Sequence, residues 1–470
     1  MGAFAFITGL LVIAALFQIN DDSPVLRLYY INAYVSTAIV YLALGGFLVV
    51  DAASALGRTS SVPLAVRRPW LPLIPFPFAV TVGQWLASNP EAAPWAFPFV
   101  NVLMVSSPSL TIALVVANRY TAHHPFAWPV SRREWSSGFV YGAVGATSIA
   151  SIINTAYLLG AGHLLVQLAG NGGPFSSFER NLHTLPTGWG IFLDLSTLSI
   201  VAPLNEEFWK GMLVGFFFFR RGGLARCFLW GVLAGTGFNL LETFSNSLGV
   251  VSPEARADQT IGSEWWFFAV ARAGTAAMHG TATGLTAIGF YGLFRRHPRY
   301  LPGLVAGPSI HGLWNFLVYT VWGDALFTGA GPDSTLLDVA GGLGLVILFG
   351  ITLVLLWNLS GTLRDDAPAP PYRLLGMLPG ATASGHWKPP PSSPLWATEY
   401  GGQFPSRDTH DERLAFDPEL HRSLAEIIPV GLDGDPRRRD FQVRRPKPDD
   451  IVVTGYPVDG DPSGDPQPRP

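Results

Sequence analysis

Residues 189–219 read WGIFLDLSTLSIVAPLNEEFWKGMLVGFFFF. The stretch is apolar and long enough to cross a hydrocarbon core of about 30 Å, yet Glu206, Glu207 and Lys210 stand in its second half. Ionisable groups at membrane depth are costly, so they pair, neutralise one another or line a cavity. The spacing here allows pairing, because Lys210 follows Glu206 by one i,i+4 step and Glu207 by one i,i+3 step. The two carboxylates point about 100° apart on a helix and serve different roles. Apolar side chains would pack such a helix without the desolvation cost. The trio therefore reads as a buried site.

Further apolar stretches surround this one. They lie at 3–19, 31–50, 70–86, 97–117, 139–159, 228–248, 265–294, 304–321 and 340–359, which predicts an all-α, polytopic membrane protein with about ten transmembrane helices. Pro72, Pro75 and Pro77 weaken helical hydrogen bonding at the start of the third stretch. The sixth and eighth exceed one crossing, and their early charges, Asp194 and Arg272, are expected near an interface. Residues 1–19 lack a basic leader region and a small-residue cleavage site, so they read as a membrane helix. Arg67, Arg68, Arg132, Arg133, Arg220, Arg221, Arg226, Arg295, Arg296 and Arg364 gather in alternate connectors. The positive-inside rule then places both termini in the cytoplasm.

The hydrophobic fraction of 49% averages two unlike parts. The chain divides into 1–187, N-terminal membrane helices; 188–323, the polar-bearing membrane core; 324–363, a last membrane helix; and 364–470, a polar, proline-rich cytoplasmic tail. The tail composition favours disorder, with a candidate helix at 411–428 and an unidentified tail-binding partner. Cys227 is the single cysteine, which excludes intrachain disulfides and thiolate metal clusters. The net charge of −3 comes without a basic domain or zinc-finger spacing, so nucleic acid is not a partner. Gly, Pro and Trp usage is associated with bacterial plasma-membrane proteins.

Glu242, His279 and His311 occupy three further apolar stretches. At a rise of 1.5 Å per residue, these groups and Glu206 lie about 18–24 Å from the arginines at their cytoplasmic ends. Four segments of alternating direction thus bring ionisable groups to one depth. Phe238 precedes Glu242 by one turn, and Gly231-x-x-x-Gly235 permits close helix approach. His311 and Asn315 share a face, a pair suited to stabilising an oxyanion. His279 is flanked by small residues.

The motifs Glu206-Glu207-x-x-Lys210, Gly235-x-Gly237-Phe238-x-x-x-Glu242, His279 with its glycines, and His311-x-x-x-Asn315 resemble the PrsW family of intramembrane proteases. That family stands within the superfamily of the CAAX prenyl endopeptidases. The resemblance covers about 188–316 and implies hydrolysis of a peptide bond in a membrane-anchored protein within the lipid bilayer. It implies catalytic roles for Glu206, Glu207, Lys210, Glu242, His279, His311 and Asn315: Glu206 activates water, Glu207 assists through Lys210, and His311 with Asn315 binds the oxyanion. Glu242 stands where the CAAX branch has histidine. The cofactor is either none or one zinc ion, with Glu206, Glu242, His279 and His311 as candidate ligands. There is no His-Glu-x-x-His helix, and the reading favours a glutamate mechanism while keeping zinc open. A proton- or cation-coupled transporter would use the same carboxylates but should show an internal repeat, and none is visible. A non-enzymatic membrane scaffold would need the cluster for packing alone.

Overall fold

The computed structural model describes residues 2–16, 24–56, 64, 66–89, 91–123, 130–170, 182–218, 223–250, 261–322 and 335–363. The tail at 364–470, with its candidate helix at 411–428, lies outside them. Among the described residues the chain is helical and contains no β-strand. This is the solution lipid imposes, since a helix satisfies its backbone internally.

The helices are α1 (Gly2–Leu16), α2 (Pro24–Leu56), α3 (Pro75–Ser88), α4 (Phe97–His123), α5 (Arg132–Val140), α6 (Thr147–Leu168), α7 (Thr187–Leu195), α8 (Ala202–Phe218), α9 (Leu224–Val250), α10 (Ile261–Arg295), α11 (Gly303–Trp322) and α12 (Thr335–Thr362). Two π turns join consecutive helices, Tyr141–Ala146 between α5 and α6 and Ser196–Val201 between α7 and α8. Residues 132–168 thereby form one long candidate span, and the Thr187–Met212 span crosses the second wide turn.

Each of the ten apolar stretches overlaps a helix. Among the described residues, seven spans are long and apolar enough to cross a membrane. The helices α10 and α11 are not among them, because glycine, threonine, histidine and asparagine dilute their apolar character. The prolines expected to disturb the third stretch sit where they cost little. Pro72 lies in a 3₁₀ turn (Leu71–Leu73), and Pro75 and Pro77 fall in the first turn of α3, where backbone N–H groups lack helical partners anyway.

Helix α9 forms the centre. Its side chains are buried at every position from Leu224 to Leu241, as expected for a helix apolar on all sides. Phe228, Leu229, Trp230, Val232 and Leu233 join residues of α4, α5 and α10 in the main core. Gly235 gives α9 its closest approach to α10, since a Cβ there would strike the His279 carbonyl. Gly312 does the same for α11, where a Cβ would strike the Ser199 carbonyl of the second π turn. Both contacts lie beside the polar cluster and set its spacing.

Candidate active site

Lys210 is the hub. Its ammonium, fully buried on α8, lies 2.6 Å from Glu207 Oε1, 3.4 Å from Glu206 Oε2 and 3.0 Å from His279 Nδ1. Those three contacts match the three N–H donors of lysine. The face of Phe238 lies 3.9 Å from the same nitrogen and closes the site from α9.

Glu207 is wholly enclosed. Besides Lys210, its carboxylate accepts from Thr283 Oγ1 at 2.7 Å and faces His311 Nδ1 at 3.0 Å. Because a carboxylate only accepts, that contact assigns the proton of His311 to Nδ1 and leaves Nε2 with a lone pair. The Nε2 atom stands 3.7 Å from Glu206 Oε2.

His279 bridges an ammonium and a carboxylate. An ammonium only donates, so Nδ1 accepts from Lys210 and Nε2 carries the hydrogen directed at Glu242 Oε2, 2.8 Å away. Glu242, whose side chain is 27% exposed, also accepts from Arg272 at 2.7 Å. Arg272 Nε donates to Thr243 Oγ1 at 2.9 Å. Arg272 was expected near an interface; the structure places it in this network, at the more accessible end.

Glu206 lies between the other two carboxylates in exposure, with a side chain 9% exposed against 0% for Glu207 and 27% for Glu242. Its Oε1 accepts from Asn154 Nδ2 of α6 at 3.1 Å. Asn154 Oδ1 accepts in turn from Asn205 Nδ2 at 2.8 Å, and Asn205 also donates to the Ala150 carbonyl at 3.0 Å.

Six of the seven residues singled out in the sequence thus meet in one network: Glu206, Glu207, Lys210, Glu242, His279 and His311. Asn315 departs from the expected geometry. Its Nδ2 donates to the Leu198 carbonyl at 2.8 Å, inside the second π turn. A π turn leaves backbone carbonyls without their usual helical donor, and Asn315 supplies one. The expected His311–Asn315 pairing at the reacting centre is therefore not formed. Asn154, Asn205, Thr283 and Arg272 were missed. Polar residues on apolar stretches were the available signal, but spacing within one helix cannot reveal a partner on another.

The donors of Glu206, His279 and His311 lie within 4.8 Å of one another, so these three side chains can hold a metal ion. Glu242 stays outside that trio, bound to Arg272 and His279. Two imidazoles and a carboxylate are a normal donor set for catalytic zinc. The network also contains three carboxylates against the two permanent cations, Lys210 and Arg272, and a metal ion or a proton would offset the surplus. Lys210 competes for the position, since its ammonium already holds the lone pair of His279 Nδ1.

Comparison with known proteins assigns the class: an intramembrane endopeptidase. The model for the PrsW family intramembrane metalloprotease matches residues 135–356. The match runs from α5 into α12, wider than the 188–316 stretch that carries the four motifs. No curated protein and no solved structure matches. The apolar helices make this a multi-pass membrane protein, and similarity to an intramembrane protease implies a membrane-protein substrate.

Proposed function

We propose that the chain hydrolyses a peptide bond in a membrane-anchored protein, with water activated by Glu206. The observation that carries this reading is the approach of Glu206 Oε2 to the lone-pair side of His311, 3.7 Å away, beside the fully enclosed Lys210–Glu207 pair. A water between them would donate one hydrogen to each and turn its own lone pairs outward. As its oxygen attacks the carbonyl carbon, Glu206 takes one proton. Collapse of the tetrahedral intermediate breaks the carbon–nitrogen bond, and Glu206 returns that proton to the leaving nitrogen.

The other residues act by position. Lys210 offsets the charge of the carboxylate pair, Glu207 fixes the tautomer of His311, and Glu242 with Arg272 orients His279. Asn315 supports the turn that precedes Glu206. Glu206, His279 and His311 would hold a metal ion; when bound there it would supply a Lewis acid that acidifies water. In this reading the arginine-rich connectors and both termini face the cytoplasm, and the membrane is a bacterial plasma membrane.

A Glu206→Gln variant tests the proposal. Gln keeps the shape and one of the two accepting oxygens but not the base, which contributes about 10²–10⁴-fold. The purified full chain, assayed on fluorescein-labelled casein in detergent micelles, should lose at least 100-fold in turnover while eluting as the folded protein. Wild-type turnover by this variant, or none by the native chain, would reject the reading.

A further inference from the structure

We infer that Asn154, held by Asn205, donates an N–H to the carbonyl oxygen of the scissile bond as that oxygen becomes an oxyanion. The inference rests on the proposed role of Glu206. Amide hydrolysis needs such a donor, and the site has committed the obvious ones elsewhere. All three donors of Lys210 are taken by Glu206, Glu207 and His279. The N–H of His311 faces Glu207, that of His279 faces Glu242, and Asn315 spends one amide hydrogen on the Leu198 carbonyl, turned to the π turn rather than to Glu206.

Asn154 is differently placed. The chain of contacts behind it settles which end of its amide faces the site. The Ala150 carbonyl can only accept, so Asn205 turns its NH₂ group towards it and towards Asn154. Asn154 must then present Oδ1 to Asn205 and its NH₂ group to Glu206. One N–H of that group meets Glu206 Oε1, and the second has no partner among the described residues. A donor locked in orientation, with one hydrogen free, is what a developing negative charge requires.

Its surroundings point to substrate. Ser151, Ile152, Ile153, Thr155 and Ala156 of α6 are exposed around it, whereas Lys210 and Glu207 are fully enclosed. On the facing helix, Leu204 and Phe208 are 54% and 44% exposed. The seam between α6 and α8 thus opens towards lipid, the direction from which a membrane-anchored chain arrives. Water beside Glu206 Oε2 and the Asn154 amide beside Oε1 would leave the carbonyl carbon between them.

The test uses the full chain in micelles with fluorescein-labelled casein as substrate and a phosphinic tetrapeptide as a tetrahedral mimic. Asn154→Ala should lower kcat by about 100-fold, leave KM within about two-fold, and weaken phosphinic-peptide binding by a factor similar to the kcat loss. If that variant does not elute as folded protein, Asn154→Ser, small and polar, takes its place with the same expectation. Wild-type kcat and phosphinic-peptide affinity would overturn the inference. So would a loss of kcat with unchanged affinity for the mimic, which would make Asn154 a positioning residue for Glu206. An inactive Glu206→Gln variant beside a fully active Asn154→Ala variant removes this inference alone; an active Glu206→Gln variant removes both readings.

Discussion

Lys210 and Glu207 form an ion pair of 2.6 Å in which neither side chain has any exposure. Removing one partner of such a pair leaves a lone charge in a medium that cannot solvate it, at a cost of about 3–5 kcal/mol. Lys210→Met should therefore destabilise the protein by about that amount. The double variant Lys210→Met with Glu207→Gln should recover part of the loss, because the stranded carboxylate is gone. Unfolding in detergent micelles, with the two single variants and the pair completing a cycle, measures the coupling.

Close packing beside the site is tested at two glycines. A side chain at Gly235 collides with the His279 carbonyl, so Gly235→Val should sharply reduce the yield of folded protein. Gly350 on α12 faces open space, and a Cβ added there would meet nothing within 4 Å. Gly350→Ala should be neutral, or stabilising by up to about 1 kcal/mol through helix propensity. Size-exclusion recovery of the two variants provides the comparison.

Metal removal separates two chemistries at one site. With Lys210 already on the lone pair of His279, the glutamate mechanism expects activity to survive stringent chelation and elemental analysis to find well under one metal ion per chain. Near-unit zinc, with activity lost on its removal and restored on its return, would instead assign Glu206, His279 and His311 as ligands.

Arg272 reaches the reacting centre only through Glu242 and His279. Arg272→Met should lower turnover by about 10-fold or more, the scale seen for partners that orient a ligand or base. Arg272→Lys should keep more of the activity, since the cation is retained while the two-point contact with Glu242 and Thr243 is lost. Turnover of fluorescein-labelled casein by the two variants, each with its elution profile, checks the order.

The helical membrane architecture was legible because lipid leaves few options and the apolar stretches are long. Depth was legible too: a constant rise per residue brought Glu206, Glu242, His279 and His311 to one level before any helix was packed. Rotation about the helix axes was not. The Asn315 side chain shares a face with His311, yet the wide turn at Ser196–Val201 presents it with the Leu198 carbonyl, and a sequence gives no sign of that turn. Arg272 looked peripheral because its partner lies on α9, while Asn154 lies on a helix outside all four motifs. Contacts between helices depend on azimuth as well as height, and only height follows from counting.

The wide turn has a consequence for how this site tolerates change in length. Each additional residue advances a helix by about 100°, so the phase of α8 depends on the irregular winding just upstream. Deleting a single residue from Ser196–Val201 is absorbed by closing the wide turn, whereas deleting one between Ala202 and Asn205 swings both neighbouring acids by about 100° around the axis, pointing Glu206 away from His311 without altering any active-site side chain.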